Sequence, residues 1–176
     1  MSYNPLEINY MLKRAALLVD TREQDTPAYR QRLQQIGLPY YREKLDAGDY
    51  GIRTTDDAGR AIDAHTVIER KMSLDELCAC FTSDRGRFKR EFERASASGT
   101  KVWLVVEDAS WAQALHGQYR SKMHPHALMG SVFGWAAKYG ISVVFCRSAD
   151  APELIKNILH YALKHELEAA EDEGTE

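Results

Sequence analysis

Three charged side chains stand at the ends of two predicted β-strands in the middle of the chain. Asp49 lies between Gly48 and the start of one strand, and Glu69 and Lys71 close the strand that starts at Thr66. Because side chains alternate along a strand, Glu69 and Lys71 are expected on the same face. A hairpin between the two strands would bring Asp49 and Glu69 to one edge of a sheet.

Such a pair of carboxylates has a direct chemical use. Two carboxylates a few ångströms apart repel each other, so they are stable when a divalent cation lies between them. Oxygen-only ligands suit Mg²⁺ or Mn²⁺ rather than zinc. Lys71 would orient or activate a water, or neutralise charge on a phosphoryl oxygen. This pattern is typical of metal-dependent nucleases, and the plainer alternative is a hairpin salt bridge from either carboxylate to Arg70 or Lys71.

Further acidic residues flank this pattern. Asp20 and Glu23 follow an apolar run that predicts a buried strand. Asp75 lies in Ser73-Leu-Asp-Glu76, a capping box that predicts a helix directly after the charged strand end. The alternatives are that Asp20 and Glu23 cap the following turn, and that Asp75 is present because the helix dipole favours any acid there.

Strands and helices alternate along the rest of the chain. Predicted strands cover residues 15–20, 40–45, 50–54, 66–70, 102–106 and 141–146, and predicted helices cover 26–36, 73 onward, 88–98, 125–139 and 152–167. Asp56-Asp-Ala-Gly-Arg60 is turn chemistry, so strands 50–54 and 66–70 are predicted to pair as a hairpin. The alternation indicates an α/β domain with a central mixed sheet flanked by helices.

The overall charge of the chain conceals two regions of opposite sign. The 176 residues are 44% hydrophobic and 28% charged, as expected for one globular domain, and the formal net charge is -3. Residues 166–176 hold six Asp or Glu and no Lys or Arg. Without this tail the body is mildly basic, which is compatible with nucleic acid binding.

Targeting and redox signals are few. No run approaches the roughly 18 apolar residues of a membrane span, and the N-terminus lacks a signal-peptide pattern, so we expect a cytoplasmic protein with no membrane partner. Cys78, Cys80 and Cys146 are odd in number, which argues against a disulfide framework. We expect all three to be small, mostly buried apolar side chains.

Three charged motifs together resemble the nuclease domain of the XPF family, which includes archaeal Hef and small phage and prophage nucleases. The motifs are Val19-Asp-Thr-Arg-Glu23, Gly48-Asp-Tyr50 and Glu69-Arg-Lys-Met-Ser-Leu-Asp75, in the same order and spacing. The resemblance implies a restriction-endonuclease-like fold. We therefore expect an N-terminal arm over residues 1–14, an XPF-type nuclease domain over 15–165, and an acidic, disordered tail over 166–176.

The resemblance also implies a cofactor and a set of catalytic residues. The cofactor would be Mg²⁺ or Mn²⁺. Three acidic residues would hold it: Asp20, Asp49 and Glu69. The remaining catalytic residues would be Glu23, Asp75 and the basic pair Arg70 and Lys71.

Basic residues beside this set predict contacts with DNA. The run around Ser83-Asp-Arg-Gly-Arg87 suits phosphate contacts. The alternative is a solvated helix face that pairs with Glu91 and Glu93 at helical spacing. The predicted DNA contacts are Arg22, Arg85, Arg87 and Lys89.

The function predicted from these motifs is a metal-dependent endonuclease that cleaves phosphodiester bonds with a metal-activated water. A preference for branched, flap or junction DNA, and a role in DNA repair or recombination, follow from the family resemblance alone. The chain lacks the helix-hairpin-helix and helicase-like regions of many members, so we expect a small phage-type nuclease, a homodimer, in a bacterial or phage-infected cell. Two alternatives remain open: a catalytically inactive DNA-binding subunit of the same fold, and a sequence-specific restriction-type endonuclease.

Overall fold

The computed structural model describes residues 3–172 as alternating strands and helices. The strands are β1 (Ala16–Asp20), β2 (Tyr40–Glu43), β3 (Tyr50–Thr55), β4 (Ala61–Asp63), β5 (Thr66–Lys71), β6 (Lys101–Glu107) and β7 (Ser142–Cys146). The helices are α1 (Pro5–Lys13), α2 (Pro27–Ile36), α3 (Leu74–Phe81), α4 (Arg85–Ala97), α5 (Trp111–Leu115), α6 (Pro125–Tyr139) and α7 (Ala151–Asp172). None of these described helices is both long and apolar enough to cross a membrane.

The strands of residues 3–172 form one mixed seven-stranded sheet. Its order is β2-β1-β3-β5-β6-β7, and β4 pairs with β3. Strand β1 runs parallel to β2 and antiparallel to β3, where Val19 lies opposite Tyr50. Strands β6 and β7 are parallel. The sheet contains parallel and antiparallel strand pairs and is flanked by helices, which confirms the predicted α/β class.

The chain packs as two compact units, and β5 continues from the first into the second. Within the described residues the first unit comprises 3–45, 49–67 and 152–172. Its central strand β1 is buried along its whole length, as expected for a strand with neighbours on both sides. Helix α2 begins and ends as predicted: the Thr26 hydroxyl accepts from the Tyr29 N–H, and Gly37 adopts a left-handed φ of 68°.

The second unit comprises residues 46–48 and 68–151. Its core lies between β6 and the helices α3, α4 and α6. Trp135 of α6 meets Phe81 of α3 edge to face at 5.0 Å and Phe92 of α4 at 5.5 Å. Cys78 and Cys80 are buried in this unit, as predicted, and burial raises the pKa of Cys80 to about 12. These thiols therefore act as apolar packing groups.

Two predicted boundaries differ from the structure near the charged motifs. The turn after β3 leads into the three-residue strand β4, where Asp63 pairs with Arg53, so the immediate hairpin partner of β3 is β4 and β5 follows it. Helix α4 begins at Arg85 rather than at 88. Arg85 and Arg87 therefore lie in its first turn, where cations oppose the helix dipole.

The two ends of the chain carry more helix than predicted. In the expected arm, Asn4 and Glu7 cap α1 reciprocally, and Ile8 and Met11 are buried. At the other end α7 runs to Asp172, so residues 166–172 are helical rather than disordered. Burial of Leu163 and Leu167 stabilises this extension. Residues 173–176 of the predicted tail lie outside the described residues.

Candidate active site

Asp20 ends β1 with its carboxylate almost completely buried, 1% exposed. Its Oδ1 accepts from the backbone N–H and Nε of Arg22, both at 2.7 Å. Its Oδ2 accepts from Nη2 of Arg22 at 3.1 Å and from the Leu45 N–H at 2.7 Å. Four donors fill the lone-pair sites of a carboxylate, so this group is held in one orientation.

This hydrogen bonding keeps Asp20 ionised. Burial acts to raise the pKa of Asp20, but the hydrogen bonds from Arg22 and Leu45 outweigh it and hold the pKa below its usual value. Arg22, a predicted DNA contact, is thereby committed to Asp20, although 51% of its side chain remains exposed.

Pairing of β1 with β3 brings Asp49 beside Asp20. One step beyond the Val19–Tyr50 pair, the Asp20 N–H donates to the Asp49 carbonyl at 2.9 Å. The preceding residue, Gly48, has a φ of 74°, a left-handed conformation that favours glycine. Two acidic residues 29 positions apart in sequence thus share one end of the β1–β3 ladder.

Glu23 belongs to a polar network that the sequence pattern did not reveal. The Tyr50 hydroxyl donates to Oε2 of Glu23 at 3.1 Å. Nη1 of Arg32 donates to that hydroxyl at 2.9 Å and lies 3.7 Å from the same carboxylate oxygen. Arg32 shares the buried face of α2 with Tyr29 and Leu33. An arginine on the buried face of a helix is the signal that would have revealed this network, because arginine is seldom buried without a partner.

Glu69 and Lys71 form a buried ion pair in the second unit. Glu69 is 4% exposed, and Nζ of Lys71 lies 2.5 Å from its Oε1. The ammonium also lies 4.3 Å from the centre of the Phe88 ring on α4. Both side chains therefore face the same way from β5, as the alternation of the strand predicts.

Arg70 points away from this pair. Its Nη1 lies 3.1 Å from Oε2 of Glu107 at the end of β6, and each side chain is about a tenth exposed. The two members of the predicted basic pair, Arg70 and Lys71, thus have different carboxylate partners. Glu107 was absent from the predicted set, although a carboxylate that closes the apolar run 102–106 is a visible signal.

Asp75 lies in the first turn of α3 and holds a distant loop. Its Oδ1 accepts from the Ser121 N–H at 2.7 Å, and its Oδ2 from Nε of Arg120 at 3.1 Å. Partial burial acts to raise the pKa of Asp75, but the Ser121 and Arg120 hydrogen bonds outweigh it and lower the pKa below its usual value. Asp75 is therefore an ionised anchor for residues 120 and 121.

The predicted DNA contacts on α4 are exposed. The Arg85 guanidinium lies 5.6 Å from the ring centre of Trp135, and that of Arg87 lies 4.6 Å from Phe88. Lys89 is 3.7 Å from the Glu93 carboxylate one turn later. Such exposed pairs contribute little stability and are readily exchanged for a phosphate.

The donor chemistry of these acidic residues fits a hard divalent cation. Asp20, Asp49 and Glu69 offer carboxylate oxygens only, the ligands that Mg²⁺ and Mn²⁺ prefer. Within residues 3–172, no three His, Cys, Asp or Glu side chains already form a metal-binding cluster. One oxygen of Glu69 carries Lys71, and both oxygens of Asp20 carry N–H donors. Binding a cation would therefore require some of these donors to move.

Comparison with known proteins places this chain among nuclease domains. A family model described as the ERCC4 domain matches residues 19–158. Among solved structures, XPF from Aeropyrum pernix aligns with a TM-score of 0.58 and 20% identity, over 84% of this chain and 61% of that one. XPF from Aeropyrum pernix in complex with DNA aligns with a TM-score of 0.60 and 20% identity, over 86% and 66%. No curated protein matches.

The two structures and the family model carry different information. At 20% identity the structures establish the fold, and the chain spans less than two thirds of the length of either one. This likeness confirms the predicted restriction-endonuclease-like architecture. The family model covers well over half of the chain and includes all three charged motifs. The chain therefore belongs to the ERCC4 domain family, with the nuclease fold of XPF.

Proposed function

We propose that this protein is a divalent-metal-dependent endodeoxyribonuclease. The observation that carries the proposal is the buried Glu69–Lys71 pair, 2.5 Å apart, on strand β5, which lies within the matched ERCC4 domain. A buried charge is costly to maintain, and buried charged groups of this kind cluster at functional sites. By the family resemblance, the residues that hold Mg²⁺ or Mn²⁺ would include Asp49 and Glu69. The cation, when bound, would polarise the scissile phosphate and lower the pKa of a bound water.

Lys71 would stabilise the charge that builds up on the phosphoryl oxygens. Its ammonium is only partly exposed, at 12% of the side chain, and it lies between Glu69 and the face of the Phe88 ring. This position limits the directions in which the Lys71 ammonium can move. A group that is already oriented contributes more to the transition state than a free surface lysine.

The other acidic residues are proposed to support the site. Asp20 would position it, because its carboxylate orients Arg22 and Leu45 and its N–H holds the Asp49 carbonyl. Direct metal binding by Asp20 requires the loss of one of its four hydrogen bonds. Glu23 would act through Tyr50, to which it is hydrogen-bonded.

DNA is the proposed substrate. The basic side chains on α4 suit phosphate contacts, and an XPF of the same fold is described in complex with DNA. The proposed contacts are Arg22, Arg85, Arg87 and Lys89. The preference for branched, flap or junction DNA and the homodimer rest on the family resemblance and are proposed with it. The cytoplasmic setting expected from the sequence is proposed beside them.

Cleavage of labelled flap, fork, four-way-junction and plain duplex DNA tests the proposal. Reactions with Mg²⁺ or Mn²⁺ are compared with EDTA, and wild type with Asp49→Asn. Asp46→Asn is the matched control, because Asp46 is exposed and lies three residues away. We expect cutting to be lost in EDTA and in Asp49→Asn only.

Other results would favour the alternatives. Cutting that persists in EDTA would refute the metal requirement. Binding without cutting of any substrate would indicate an inactive DNA-binding subunit. Discrete cuts at one sequence in linear duplex would indicate a restriction-type enzyme.

A further inference from the structure

The segment that connects β6 to α7 has an unusual charge distribution. From 109 to 149 the chain contains no Asp or Glu, although acidic residues outnumber basic ones overall, 26 to 23. Within this segment, residues 116–124 connect α5 to α6, and we call them the α5–α6 loop. The loop carries Arg120 and Lys122 together with two histidines. A surface of this kind attracts polyanions.

The α5–α6 loop is held in one conformation by a carboxylate outside the segment. Asp75 accepts from the Ser121 N–H at 2.7 Å and from Nε of Arg120 at 3.1 Å. Inside the loop, the Tyr119 hydroxyl donates to the Met123 carbonyl at 2.9 Å, and the Met123 N–H donates to the Ser121 hydroxyl at 3.2 Å. An ordered loop loses less conformational entropy when it binds a partner.

The cationic groups of this loop face solvent. The Arg120 side chain is 93% exposed even though Nε is bonded to Asp75, so most of its guanidinium is accessible. Lys122 is also exposed, and no carboxylate in the part of the chain that the structure describes lies within ion-pair distance of it. Two accessible cations on an anchored loop are the kind of group that neutralises backbone phosphates.

We propose that the α5–α6 loop is a second DNA-contact surface, in which Arg120 and Lys122 bind backbone phosphates and Asp75 holds the loop in position. The choice of DNA as the polyanion rests on the proposed function. Asp75 follows Lys71 by four residues in the same unit, so it joins this surface to the strand end that carries the proposed chemistry. Asp75 is then a positioning residue, and phosphate contacts of this kind set register without reading sequence.

Salt-dependent binding of a fluorescein-labelled flap duplex, measured by anisotropy in EDTA, tests the surface without cleavage. Lys122→Ala and Lys138→Ala are the matched pair, because each removes one exposed lysine from the acid-free segment. For Lys122→Ala we expect the slope of log affinity against log salt to fall by about 0.9, the value for one phosphate contact. The Lys138→Ala slope should equal that of wild type, and equal slopes for both variants would overturn the proposal.

The sign of the Asp75→Ala effect tests the anchoring role. Removal of a negative charge would by itself tighten binding to DNA, whereas release of the α5–α6 loop weakens it. We expect weaker binding, with partial recovery in Asp75→Asn, because an amide oxygen still accepts from the Ser121 N–H. Tighter binding in Asp75→Ala, with helix content unchanged by circular dichroism, would refute the anchor.

The loop and the nuclease proposal can fail separately. Metal-dependent cutting with an unchanged Lys122→Ala slope would refute the loop alone. Binding that depends on Lys122, without any cutting, would support the loop and refute the enzyme. Absence of DNA binding by the wild-type protein would overturn both.

Discussion

Glu91 holds the turn that precedes Asp49, and its replacement gives the sharpest test of how the fold supports the site. This carboxylate on α4 is 3% exposed, and its Oε1 accepts from the buried Gly48 N–H at 2.9 Å. One turn later, Nη2 of Arg94 donates to the Asp46 carbonyl at 3.1 Å. Helix α4 thus fixes the left-handed turn at Gly48 from which Asp49 follows.

The cost of Glu91→Ala follows from these contacts. The change leaves the buried Gly48 N–H without this acceptor, which costs about 1–3 kcal/mol. Glu91→Gln keeps an acceptor and exchanges a charged hydrogen bond for a neutral one, at about 1 kcal/mol. In a domain of this size, a loss of about 2 kcal/mol lowers Tm by roughly 4–8 °C. We therefore expect Ala to be clearly less stable than Gln.

Urea and thermal unfolding measure the stability change, and flap cleavage at a temperature where every variant is folded measures the effect on the site. We expect activity to fall in Glu91→Ala and to be largely retained in Glu91→Gln. Glu93→Ala on the same helix is the control: its side chain is 45% exposed, and we expect a change within about 0.5 kcal/mol. Equal destabilisation by Ala and Gln would refute the Gly48 contact as the cause, as would an unfolding free energy unchanged by Ala.

Three further predictions follow from the ion pairs and the pKa shift. Lys71→Met removes the ammonium that pairs with the buried Glu69 carboxylate, so we expect a loss of about 3–5 kcal/mol in urea unfolding as well as loss of cleavage; unchanged stability would contradict the buried pair. A double-mutant cycle of Arg70→Met and Glu107→Gln should give a coupling above about 1 kcal/mol, and simple additivity would contradict their contact. The lowered pKa of Asp20 stabilises the fold at pH values above its unfolded-state pKa of about 3.9, and this contribution is lost as pH falls through the folded pKa. In a plot of unfolding free energy against pH, Asp20→Asn should therefore flatten the acid limb.

Short-range signals in the sequence determined much of the fold. Cap residues and stop glycines located α2 and α6, because a helix end is decided by a few neighbouring residues. Strand alternation placed Glu69 and Lys71 on one face, which their 2.5 Å contact confirms. The spacing of the charged motifs indicated the family that the comparison then established.

Only the tertiary structure decided which partner each charged side chain meets. Glu91 reaches Gly48 across 43 residues, and Asp75 reaches Ser121 across 46. No local pattern encodes such pairs, because their geometry depends on how helices pack against strands rather than on neighbouring residues. The same holds for the start of α4: the dipole disfavours Arg85 there, and its contact with the Trp135 ring, 50 positions away, offsets that cost. Sequence thus determined which chemistry is present, and packing determined how each charged group is held.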